Sequence, residues 1–142
     1  MEIKAVIENI TTMEVGAIVV NLFDGVEILE GATKAVDRAL DGAISNLIAD
    51  GEVKGKKGSI SLIHTLGKIP PKRVLVVGLG EQESFALETV RQVMGETCRY
   101  LRRLGVEQVA SVVHGAGFGG LDFEVSAEAM TEGALLGLYI FN

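Results

Sequence analysis

The chain has 142 residues, 48% of them hydrophobic, a formal net charge of -6 and a single cysteine. That length suits one domain with its own core, and one cysteine excludes a disulfide scaffold. The acidic balance argues against non-specific attraction to a phosphate backbone, and no uncharged run approaches the roughly 20 residues a bilayer span needs. With Glu2, Lys4 and Glu8 at its start, the chain shows no signal-peptide core, so a soluble cytoplasmic protein is expected. Local basic clusters at Lys54 to Lys57 and Lys68 to Arg73 read as solvated loops.

Residues 2 to 9 alternate, with Ile3, Ala5 and Ile7 on one side and Lys4, Val6 and Glu8 on the other, which predicts an edge strand with one partly wet face. After Thr11-Thr12, the run Val15 to Leu22 is apolar except for Asn21 and predicts an interior strand, closed by a turn at Phe23-Asp24-Gly25. From Ala32 to Asp50 the residues Val36, Leu40, Ala43, Ile44, Leu47 and Ile48 recur at helical spacing, while Lys34, Asp37, Arg38 and Asp41 point elsewhere. One helix is expected there, with Thr33 able to cap its start and Gly51 its end.

Gly51 to Gly58, with three lysines, is expected to be an exposed connection. Ser59 to Thr65 returns to strand character, and Pro70-Pro71 marks a short turn into the next strand, favouring an antiparallel hairpin. That next strand, Arg73 to Gly80, has no polar face from Val74 to Leu79 and should lie mid-sheet beneath helices on both sides. The helix that follows carries Leu87, Val90, Met94, Cys98, Leu101 and Leu104 as one apolar stripe, with Glu88, Arg91, Glu96, Arg99 and Arg103 mostly outside it. With the apolar run Val109 to Val113 it completes a parallel βαβ unit, and the sheet is mixed. A last helix, from about Phe123 to Phe141, has Ser126, Ala129, Gly133 and Gly137 on one face. Each interior glycine costs about 1 kcal/mol relative to alanine, so that face is expected to press against the sheet. The apolar run Leu135 to Phe141 is an ending expected where a longer protein has been divided at a linker.

Few residues offer chemistry. Gly115, Gly117 and Gly120 satisfy Gly-x-Gly-x-x-Gly between a strand and a helix, where backbone N–H groups can cradle a pyrophosphate. No acidic residue follows at the tip of a further strand to hold a ribose, so a tight loop is the favoured reading. Gly78-Leu79-Gly80 lacks a third glycine and reads as a strand-to-helix turn. His64 and His114 have no second ligand at metal-binding spacing, and Cys98 on the helix stripe reads as a buried small hydrophobe. The carboxylate pairs Glu81 and Glu83, Asp122 and Glu124, and Glu128 and Glu132 fall in loops or on wet helix faces. No serine sits in Gly-x-Ser-x-Gly. No catalytic, cofactor-binding or metal-binding residue is therefore assigned.

Three segments carry a resemblance: Asp41-Gly42-Ala43-Ile44-Ser45-Asn46-Leu47-Ile48, Gly51-Glu52-Val53-Lys54-Gly55-Lys56-Lys57-Gly58, and Arg73-Val74-Leu75-Val76-Val77-Gly78-Leu79-Gly80-Glu81. In that order and spacing the whole of residues 1 to 142 resembles the N-terminal domain of the cytosolic leucyl aminopeptidases, a family of metallopeptidases. The resemblance implies an α/β fold similar to macro domains, a three-layer α/β/α arrangement around a mixed, mostly parallel sheet. It also implies a parent that removes N-terminal residues from peptides as a cytoplasmic hexamer. In that family two divalent metals, zinc or manganese, and an Asn-Thr-Asp-Ala-Glu-Gly-Arg segment belong to a separate C-terminal domain. Residues 1 to 142 lack that segment. They are expected to be a single non-catalytic assembly domain without a cofactor, with the C-terminal peptidase domain and sister subunits as partners and no membrane. The alternative is a macro-like module binding a nucleotide or ADP-ribose at Gly115 to Gly120. Regulatory DNA binding is disfavoured by the acidic balance.

Overall fold

Side by side in one sheet lie β1 (Glu2–Ala5), β5 (Gln108–Ser111), β2 (Ala17–Phe23), β4 (Arg73–Gly80) and β3 (Ile60–His64), numbered by their order in the chain. The computed structural model describes residues 1–6, 9–116 and 120–138, and only the backbone of Leu138. Three neighbouring pairs run parallel and β3 runs antiparallel to β4, which gives the expected mixed sheet. β1 forms the expected edge over Glu2–Ala5; the predicted continuation through Ile7 and Glu8 lies outside the described residues. The predicted βαβ unit is present, but β2 sits between its two strands, β4 and β5.

The strand without a polar face occupies the interior for the expected reason. Successive side chains of a strand point to opposite faces, so Val74 and Val76 enter one core with Ile18, Val20, Val36 and Ile44. Leu75, Val77 and Leu79 enter another with Val19, Phe23, Val93 and Leu101. Burying each such side chain is worth roughly 1.5–3 kcal/mol. The first core is roofed by α1 (Gly31–Ala39) and α2 (Ala43–Ala49), and the second by α3 (Leu87–Leu104). Helices, sheet and helices make the three layers.

The single helix expected from Ala32 to Asp50 is two. The chain breaks at Leu40 to Gly42, where Asp41 has φ 56° and Gly42 φ 83°. Apolar spacing persists across the break because both helices cover the same core. Asp37, expected to face away, is buried. Its carboxylate accepts from the backbone N–H of Ser45 at 2.9 Å and from the Ser45 hydroxyl at 2.5 Å, satisfying donors in the first turn of α2. Thr33 does not cap α1. Its hydroxyl donates to the Asn21 carbonyl oxygen at 2.7 Å, tying α1 to β2. Gly51, at φ 76°, follows α2 as expected.

The small-residue face of α4 (Phe123–Leu138) does not press against the sheet; it packs on α3. A Cβ on Gly133 would overlap the Arg91 carbonyl, and one on Gly137 would overlap Gly95. The glycines lower local helix propensity but let two helix backbones approach. A third core, with Val90, Met94, Cys98, Val113, Ala129 and Met130, fills the space beside that contact.

Candidate functional site

The connection after β2 leads to α1 above one sheet face, and the connection after β5 leads to α4 above the other. Neighbouring strands with diverging connections mark the end of a sheet at which α/β proteins commonly place a ligand. Asn21 and His114 meet there. The Asn21 amide Nδ2 lies 3.0 Å from His114 Nδ1. With the amide donating, Nδ1 accepts and the ring carries its proton on Nε2. His114 is fully buried, and its Nε2 has no hydrogen-bond partner among the described residues. Burial lowers its pKa from 6.5 to about 4, so the imidazole is neutral at pH 7.

Aromatic rings crowd this end of the sheet. Phe85 meets Phe23 edge-to-face, with centroids 5.2 Å apart, and its ring lies where a Cβ on Gly115 would fall. Gly115 has φ +87°, and its carbonyl accepts from Leu121 N–H at 3.0 Å. Gly120 has φ +74°, while Gly117, the middle glycine of the predicted motif, lies outside the described residues.

The segment 51 to 58 is largely exposed, as expected of a connection, but its backbone also seals the ends of β2 and β4. Val53 and Gly55 are buried, Gly80 N–H donates to the Gly55 carbonyl at 2.9 Å, and Asp24 N–H donates to the Gly80 carbonyl at 2.8 Å. Gly55 has φ +79°, and a Cβ there would collide with the Phe23 carbonyl. Gly51, Glu52 and the three lysines are exposed, and Lys56 pairs with Asp24 at 3.1 Å. Gly78 likewise allows the chain at Lys56 to cross directly over β4.

The residues described do not fit a two-metal centre. Among them, no three His, Cys, Asp or Glu side chains are placed to share an ion. His64 is exposed on β3, remote along the strand register from the buried His114, and the carboxylate pairs at 81 and 83, 122 and 124, and 128 and 132 are exposed. Asp122 uses its carboxylate to accept the N–H groups of Glu124 and Val125 at the start of α4. Cys98 is a buried thiol whose pKa is raised to about 11, chiefly by desolvation and against the pull of Arg99.

Comparison with known proteins gives this arrangement its context. The profile of the cytosol aminopeptidase family, N-terminal domain, matches residues 19–142. The chain belongs to the cytosol aminopeptidase family. A probable cytosol aminopeptidase of Alkaliphilus metalliredigens is 32% identical over all 142 residues, yet the chain spans only 28% of that relative's length. A tomato leucine aminopeptidase variant superposes with a TM-score of 0.73 at 17% identity, over 99% of this chain and 28% of that one. A Trypanosoma brucei macrodomain in complex with ADP-ribose superposes with a TM-score of 0.75 at 16% identity, over 96% of this chain and 56% of that one. The fold is therefore that of the family's N-terminal domain and is macrodomain-like.

The glycine motif lies at the same end of the sheet as the Asn21–His114 pair, a pairing that spacing along the chain does not reveal. Each residue does carry a signal of its own: Asn21 is the one polar residue in an interior strand, and His114 ends the apolar run that leads into the glycines. Among the described residues no helix is long and apolar enough to cross a membrane.

Proposed function

We propose that residues 1 to 142 are a single non-catalytic N-terminal domain supporting the assembly of a cytoplasmic aminopeptidase. The hydrolysis of N-terminal amino acids from peptides belongs to the part of the protein that follows. The observation that carries this reading is the match to an N-terminal domain profile by residues whose side chains do not fit a metal centre. The difference in length from the Alkaliphilus relative supports it. Two divalent ions, zinc or manganese, would act in that following part by polarising the scissile carbonyl and activating water. The assembly would be a hexamer. Peptidase assays of the 142-residue chain and of the full-length protein, each with added manganese or zinc, test the proposal. Turnover is expected only from the full-length protein, and metal-dependent turnover by the 142-residue chain would overturn it.

A second reading, binding of ADP-ribose or a nucleotide at Gly115 to Gly120, is favoured by one observation, the unpartnered Nε2 of the adjacent His114 among the described residues. Phe85 against Gly115 counts against it. Calorimetry with ADP-ribose separates the two readings, since the assembly reading expects no heat at millimolar ligand.

A further inference from the structure

α3 and α4 pack together but are built differently. α3 keeps its apolar residues to one stripe, with Arg91, Glu96, Arg99 and Arg103 elsewhere, whereas α4 carries apolar residues on two sides. One side, with Ala129, Gly133 and Gly137, meets α3. The other, with Ala127, Ala134 and Leu135, lines a groove of about 240 Å³ together with Ile3 and Ala5 of the edge strand β1 and with Met94 of α3 at its floor. Leu135, at the rim of this groove, stands 69% exposed. A helix that is apolar on more than one side is the pattern of a helix buried on more than one side. Contiguous apolar surface beside an open sheet edge marks a contact surface.

What covers it follows from length and position, on the reading given under Proposed function. In the Alkaliphilus metalliredigens relative most of the chain lies outside the matched part, and the matching profile is that of an N-terminal domain. In a longer chain of that kind the following segment leaves α4 at the end that carries Leu135 and Leu136. A tethered segment reaches an adjoining groove at high effective concentration, which a separate partner does not.

We infer that the groove between α4 and β1, with Leu135 at its rim, seats the portion of the aminopeptidase chain that follows residue 142 within the same subunit. The face is an intramolecular domain contact. It is neither a ligand site nor an oligomer interface.

The test uses the full-length protein. Leu66, 87% exposed at the tip of the β3–β4 hairpin, serves as the accessible reference. Maleimide labelling of the single variants Leu135→Cys and Leu66→Cys, read by mass spectrometry, is expected to be at least tenfold slower at position 135 at every protein concentration. Hydroxyl-radical footprinting of the unsubstituted protein supplies the same comparison without a substitution, and Leu135 should be protected relative to Leu66. Equal labelling and equal footprints at the two sites would overturn the inference. So would protection at position 135 that disappears on dilution to separate subunits, because a second copy would then be the cover. Peptidase activity of the same preparation separates the two proposals. An active enzyme with an open groove refutes only this inference, whereas an inactive full-length protein removes the reading on which it rests.

Discussion

Asn21 and His114 lie 93 positions apart in sequence and share a 3.0 Å hydrogen bond that joins β2 to the loop after β5. The bond ties together the C-terminal ends of two parallel neighbouring strands, where their connections diverge. The burial of His114 also sets a pH dependence. A histidine whose folded pKa lies below its unfolded value stabilises its protonated form less in the fold than in the open chain. The fold therefore has its full stability above about pH 6.5 and loses it as pH falls toward about 4. At about 1.4 kcal/mol per pKa unit, the loss over that window is about 3 kcal/mol. Urea titrations at pH 7.5 and 4.5 should show His114→Gln losing less stability on acidification than the parent by that order. Equal losses would show that His114 is not the group responsible.

Glycines on α4 yield a prediction opposite to that of helix propensity. Replacing Gly133 by alanine should gain about 1 kcal/mol in an exposed helix. Here the new methyl would overlap the Arg91 backbone, so α3 and α4 must separate. A net destabilisation of about 1–3 kcal/mol is expected for Gly133→Ala, the range for overpacking a tight contact. Chemical denaturation decides it, and an unchanged or raised midpoint would contradict the observed packing.

Gly51 and Gly55 separate backbone strain from lack of space. Both have positive φ, 76° and 79°, but nothing lies within 4 Å of a Cβ on Gly51, whereas one on Gly55 meets the Phe23 carbonyl. Gly51→Ala should cost about 1 kcal/mol through strain alone. Gly55→Ala should cost at least about 1 kcal/mol more through the added overlap. Thermal unfolding of the two variants gives the comparison directly.

Asp37 holds the start of α2 through both oxygens of its buried carboxylate. Asp37→Ala leaves the Ser45 N–H and hydroxyl without that acceptor and is expected to cost about 1–2 kcal/mol, the size of a lost helix cap. Ser45→Ala, which keeps the backbone donor, should cost less. The ordering of the two unfolding midpoints is the measurement.

Much of the architecture was legible because burial leaves a periodic trace. The run Val74 to Leu79 could only belong beneath two layers, and the stripe from Leu87 to Leu104 could only be one helix face. The same logic obscured the break at Asp41-Gly42, since two short helices roofing one core repeat like a single long one. Lysines disguised the role of residues 51 to 58. Charge at the side-chain tips signals solvent, while it is the backbone of Gly55 that is buried.

By itself the sequence determined the layers, the mixed sheet and the absence of a ligand set at metal-binding spacing, because each depends on residue type and near-neighbour spacing. Only the tertiary structure decided that α4 rests on α3, that Asn21 reaches His114, and that a groove opens beside β1. Those are contacts between segments far apart in the chain. The residues that make them, glycine, asparagine and a few aliphatic side chains, look the same in a sequence whether or not they meet.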